Sequence, residues 1–151
     1  MEAYLDNSAT TKPCDECVSA VMNMLTDNFG NPSSLHNLGI NAMKEIILAR
    51  GAIADSLGVD KDEIIFTSGA TEANNMALFG AAKAKKRLGN RIVTTAIEHE
   101  SVLESAKELE KQGFEVVFLK PDIHGNISEE QLFEAVNKDT ILVSMMSVSY
   151  T

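Results

Sequence analysis

No apolar run in the sequence approaches the ~20 residues that a bilayer-spanning helix needs, so no membrane partner is expected. The opening residues, Met1-Glu2-Ala3-Tyr4-Leu5-Asp6, are acidic and lack the basic and apolar regions of a secretory signal, so the expected compartment is the cytoplasm. Positive charge is scarce: 13 Lys and Arg stand against 22 Asp and Glu, for a net charge of −9. Binding a nucleic-acid backbone needs clustered cations, so no nucleic-acid partner is expected. The only short basic cluster, Lys83, Lys85, Lys86 and Arg87, falls near the end of a predicted helix, where it complements the helix dipole. Cysteine is scarce too. Cys14 and Cys17 form one C-x-x-C beside Pro13, a pattern found in redox sites and in half zinc sites. No second Cys or His pair completes a tetrahedral set and no strand precedes the motif, so no metal is expected. At i and i+3 on an early helix the pair reads as packing or surface, although a helix N-terminus can lower a thiol pKa and leaves mild reactivity open. Internal repeats, low-complexity stretches and long linkers are also missing.

What is present is ordinary globular material: 44% of the residues are hydrophobic and 23% charged. The 151 residues suit one domain or a piece of a larger one. Helix and strand patterns alternate. Thr11-Lys12-Pro13 reads as a helix start, with the helix running to about residue 28, and Gly30-Asn31-Pro32-Ser33-Ser34 as a turn. A long helix is predicted over about 35–57, with Met43, Ile46, Ile47, Ile53, Ala54 and Leu57 at helical spacing and Gly58 as its stop. Four strands are predicted, over 63–67, 91–95, 114–120 and 140–146, separated by helices over about 71–87, 101–112 and 129–136. The strands are apolar runs, as expected when helices cover both faces of a sheet. This order predicts an α/β fold, a three-layer mainly parallel sheet with flanking helices, whose ligands bind outside the carboxyl ends of the strands.

Two loops at that edge carry candidate chemistry. The segment Ile65-Phe66-Thr67-Ser68-Gly69-Ala70-Thr71-Glu72-Ala73-Asn74-Asn75 takes a strand into a helix through small residues. The free N–H groups of the first helical turn, with the Thr71 hydroxyl, suit a phosphate, and a plain strand–helix turn has the same shape. No Gly-Lys-Ser/Thr follows, so it is not a Walker A loop. In Thr94-Thr95-Ala96-Ile97-Glu98-His99-Glu100-Ser101, His99 falls in a strand–helix loop at the same edge, a suitable place for a general acid or base.

Taken in order, Leu5-Asp6-Asn7-Ser8-Ala9-Thr10-Thr11, Gly30-Asn31-Pro32-Ser33-Ser34-Leu35-His36, the 66–75 segment and the 95–101 segment resemble successive signatures of the cysteine desulfurase family. Ala49-Arg50 with Leu57-Gly58, and Pro121-Asp122 with Gly125 and Leu132, resemble it as well, so the likeness runs to Val148. The resemblance implies the fold type I architecture of pyridoxal 5'-phosphate enzymes, here as an incomplete N-terminal portion of the large domain. It also implies a homodimer that converts L-cysteine to L-alanine and passes the sulfur, as a persulfide on an enzyme cysteine, to an acceptor such as an iron–sulfur scaffold protein. It implies that Ala70, Thr71 and the Thr71 side chain hold the cofactor phosphate, and that His99 stacks on the pyridine ring and moves a proton. Residues 1–13 would lie near the active-site mouth, 14–151 would form part of the cofactor-binding domain, and Asn7 and His36 would stand on the substrate side. His124 receives no role.

The pattern departs after Met145-Met146-Ser147-Val148, where the family continues Asn-Asn-Glu and this chain reads Ser149-Tyr150-Thr151. The family's cofactor-binding lysine, its acidic partner for the pyridine nitrogen and its nucleophilic cysteine would follow further on. The expectation is therefore a fragment inactive alone, with apolar faces and a strand edge left exposed. Two alternatives remain: a selenocysteine lyase-like enzyme, and a non-catalytic short product that binds a full-length desulfurase subunit.

Overall fold

The structure, a computed structural model, describes residues 3–7 and 9–147. The chain divides into two compact units, residues 1–66 and 67–151. The departure at Ser149-Tyr150-Thr151 lies outside the described residues, as does Ser8.

The first unit holds helices α1 (Asp15–Thr26) and α2 (Asn37–Leu57) and a 3-10 turn at Lys61–Glu63. Pro13 stands just before α1, and Cys14 is its extended N-cap. Asp15 and Glu16 occupy the first turn, where negative charge complements the helix dipole. The turn into α2 is built on Asn31, whose side-chain oxygen accepts the Ser33 N–H at 2.9 Å and whose carbonyl accepts the Ser34 N–H at 2.9 Å. Gly39 is required there, because a Cβ would stand 2.3 Å from the Ser34 carbonyl oxygen. Gly58 ends α2 in the left-handed conformation (φ 67°).

The strand expected over 63–67 does not form. Glu63 belongs to the 3-10 turn, Ile64 is extended (φ −90°, ψ 119°), and no ladder forms through Phe66. Extended backbone becomes a strand only when a neighbour takes up its polar groups. Here the Arg50 side chain does so instead: its Nε donates to the Ile64 carbonyl at 3.2 Å, and its guanidinium lies 5.0 Å from the centre of the Phe66 ring.

The second unit holds α3 (Ala70–Lys85), β1 (Arg91–Thr95), α4 (Glu100–Lys111), β2 (Glu115–Leu119), α5 (Glu129–Ala135) and β3 (Thr140–Ser144). The sheet order is β2-β1-β3 and both pairings are parallel, with Ile92 beside Val116 and Leu142. Successive β1 side chains point to opposite faces. Ile92 packs with Leu78 and Ala82 of α3, Val102 and Leu109 of α4, and Phe114. Val93 packs on the other face with Leu119 and Ala135, against which Leu132 of α5 also lies. The sheet is thus sandwiched between an α3–α4 layer and α5. That double coverage explains why β1 reads as an apolar run, and it makes this unit the predicted α/β arrangement.

Apolar side chains are also left uncovered, as the sequence predicts. Among the described residues α1 buries none of its own, and Val21, Leu25 and Phe29 are more than half exposed.

Candidate cofactor-binding site

The second unit puts the N-terminus of α3 and the N-terminus of α4 at one end. Gly69 is the extended N-cap of α3 and supplies no side-chain cap, so the amides of the first turn have no intrahelical acceptor. Among the described residues, a Cβ at Gly69 would meet nothing within 4 Å, which leaves the approach to those amides open. The exposed Thr71 side chain stands beside them. Glu72 does not block the approach, because its carboxylate is drawn back to Ser68. It accepts the Ser68 N–H at 2.6 Å and the Ser68 hydroxyl at 2.7 Å. The amide first, and then the hydroxyl, hold the Glu72 carboxyl below the usual carboxylate range.

His99 is the N-cap of α4, with its ring exposed. Its Nδ1 accepts the Ser101 N–H at 3.1 Å and lies 2.9 Å from the Ser101 hydroxyl. That hydroxyl oxygen in turn accepts Nδ2–H of Asn74, on α3, at 2.8 Å. Because Nδ1 accepts the Ser101 N–H it carries no proton, so the Ser101 hydroxyl donates to it. The neutral ring then carries its proton on Nε2, the nitrogen left outside the cap, a tautomer inferred from this network.

A second chain runs alongside. Asn75 donates to the Thr71 carbonyl at 2.7 Å and accepts the Ser105 hydroxyl at 3.1 Å. The Ser105 hydroxyl also lies 2.8 Å from the Ser101 carbonyl oxygen, which links the two chains, so the Thr71 backbone and the His99 ring belong to one polar seam between α3 and α4. Thr71 and His99 also line a cleft of about 410 Å³, which continues along the groove past Asn75, Phe79, Glu104 and Glu108. Its acidic side opposes a phosphate, so an anion is favoured only at the end where the α3 amides are free.

Beneath His99, Glu98 is buried at 7% exposure and holds the loop. Its carboxylate accepts the Thr95 hydroxyl at 2.9 Å and the Met146 N–H at 2.8 Å, linking the carboxyl ends of β1 and β3. A second cleft of about 460 Å³ opens at this edge among Thr95, Ile97, His124, Asn126 and Met146.

Of the residues singled out in the sequence, Ala70, Thr71 and His99 are therefore brought to one end of one unit. Asn7 and His36 belong to the other. His36 caps α2, its Nδ1 accepting the Gly39 N–H at 3.4 Å, and the Asn7 carbonyl accepts the Thr11 hydroxyl at 3.1 Å. Asn74, Ser101 and Glu98 lay inside the quoted motifs without a role. Their contacts cross from one element to another, and nothing in a linear pattern announces them.

The Aminotransferase class-V family profile matches residues 3–151. Among curated relatives, the cysteine desulfurase IscS of Methanosarcina thermophila is 47% identical over 143 residues, which is 95% of this chain and 35% of that protein. Among solved structures, a NifS-like protein superposes with a TM-score of 0.90 at 39% identity, covering 99% of this chain and 41% of that one. The structure of SspA in complex with cysteine superposes at 0.84 with 36% identity, covering 94% of this chain and 41% of that one. The chain belongs to the class-V aminotransferase family. It spans little more than a third of the length of the curated relatives it matches.

Membership in this family implies dependence on pyridoxal 5'-phosphate. The donor set fits that group: uncapped amides at Ala70 and Thr71, an exposed Thr71 side chain and open space at Gly69 suit a phosphate ester.

Proposed function

We propose that the protein carrying these residues is a pyridoxal-phosphate-dependent cysteine desulfurase, and that residues 67–151 supply the phosphate and ring contacts of its cofactor. The observation that carries the reading is the α3–α4 seam. It joins the open phosphate-suited turn at Ala70 and Thr71 to a histidine whose Nδ1 is occupied and whose Nε2 has no partner among the described residues. Kinship to IscS and to a protein solved with cysteine supports the choice of substrate.

Ala70 and Thr71 donate backbone N–H groups to the phosphate, and the Thr71 hydroxyl adds a further donor. His99 would lie against the pyridine ring and would hold or move a proton at Nε2. Ser101 and Asn74 fix its tautomer and orientation, and Glu98 holds its loop. When bound, the cofactor supplies an electron sink for cleavage at the amino acid. Residues 1–13 form a segment near the active-site mouth, 14–151 form part of the cofactor-binding domain, and Asn7 and His36 stand toward the substrate. The whole enzyme works as a homodimer in the cytoplasm. It takes L-cysteine to L-alanine and hands sulfur to an acceptor such as an iron–sulfur scaffold protein.

The test is to purify the whole protein, load it with pyridoxal phosphate and follow alanine formation from L-cysteine. Bound cofactor with stoichiometric alanine supports the reading. A protein that binds no cofactor and leaves cysteine intact rejects it. Running L-selenocysteine beside L-cysteine separates a desulfurase from a selenocysteine lyase.

A further inference from the structure

The proposed site makes no use of the C-x-x-C pair. Cys14 is the N-cap of α1 and Cys17 follows one turn on. The two Sγ atoms stand 3.3 Å apart, thiol hydrogen-bonded to thiol, and both residues are free and exposed. A disulfide bond is about 2.05 Å long, so closure needs only small rotations of two exposed side chains. Beside the pair lies an apolar cleft of about 340 Å³ lined by Pro13, Cys17, Val18, Val21 and Met22. Cys17 opens onto this apolar floor, which can hold the aliphatic part of a disulfide beside Cys17 and within reach of the neighbouring Cys14 sulfur.

The thiols are unequal. No side-chain cap hydrogen bond closes this helix end, yet the Cys17 amide first, and then the Cys17 thiol, hold the Cys14 thiol below its ordinary value. The same hydrogen bond, and then the Cys14 charge, push Cys17 up. Cys14 is thus the attacking sulfur and Cys17 the resolving one. The intervening Asp15 and Glu16 disfavour anionic ligands.

We propose that Cys14 and Cys17 form a reversible redox dithiol that reduces small, uncharged aliphatic disulfides. The Cys14 thiolate attacks one sulfur of the disulfide, whose S–S bond breaks and whose other sulfur leaves and takes a proton. Cys17 then gives up its proton, attacks the Cys14 sulfur and releases the second thiol. Two electrons and two protons pass from the pair to the ligand, leaving a Cys14–Cys17 disulfide and two small thiols.

The experiment treats the purified whole protein with 2-hydroxyethyl disulfide, alkylates it, and weighs the peptide that carries both cysteines. The expected peptide is lighter by two hydrogens, resists alkylation and is restored by dithiothreitol. Cys17→Ser should accumulate one probe adduct on Cys14. Cys14→Ser should yield no internal disulfide, and anionic glutathione disulfide should lag the neutral probe. A peptide that takes up two probe groups, remains fully alkylatable in excess disulfide, or stays unmodified in Cys17→Ser would overturn the proposal. Both substitutions are at exposed positions, and circular dichroism verifies that each variant is folded.

Discussion

His99 owes its position to three contacts rather than one: the Ser101 amide and hydroxyl on Nδ1, and Asn74 behind the hydroxyl. If the ring moves a proton, His99→Ala in the whole enzyme should lower kcat for L-cysteine by about 10²–10⁴-fold. Ser101→Ala leaves the ring but frees its tautomer, so a loss of about tenfold is expected, with a shift in the pH profile of kcat that a packing defect would not give. Glu72 makes a prediction about acid stability. Its carboxyl is held low in the folded chain, by the Ser68 amide first. The stability it lends is therefore present above the unfolded-chain pKa and is lost as pH falls through the lower folded value. Glu72→Gln should flatten that part of the acid limb in denaturant titrations at a series of pH values. An unchanged limb would mean that the Ser68 contact contributes nothing.

At the scale of elements, helix ends and buried strands were legible because each follows a local rule. Gly58 stops α2 at a left-handed position, and β1 reads as an apolar run because Ile92 and Val93 face helices on opposite sides. The 63–67 strand was misread because pairing is not local: Ile64 and Phe66 have strand composition, but Arg50 occupies their contacts. The site was legible to the same degree. Ala70, Thr71 and His99 announce themselves by their place after a strand pattern, whereas Asn74 and Glu98 act through residues 27 and 48 positions away. The shared core gives a direct check. Ile92 is fully buried between α3 and α4, so Ile92→Ala should cost about 2–5 kcal/mol in chemical denaturation. Ser128 caps α5 through a reciprocal box with Gln131, and Ser128→Ala should cost about 1 kcal/mol by the same measurement.

At the scale of the whole molecule, the class-V aminotransferase match runs over residues 3–151, while the chain covers 35% of the IscS relative. In the proposed reading, the turn-and-histidine site is one contribution to a catalyst whose substrate and partners belong to the whole protein. The exposed apolar side chains of α1 and the sheet edges beyond β2 and β3 are surfaces that the proposed homodimer and the rest of that protein would cover. In the proposed site Thr71 and His99 serve one cofactor in different ways. The most direct measurement is the cofactor content and alanine yield from L-cysteine of the whole protein, for wild type, Thr71→Val and His99→Ala side by side. Thr71→Val should lose cofactor on dialysis, with activity recovering in excess pyridoxal phosphate. His99→Ala should retain much of the cofactor with an altered absorption band and form almost no alanine. Wild-type alanine yield from His99→Ala, or unchanged cofactor retention in Thr71→Val, would contradict that assignment.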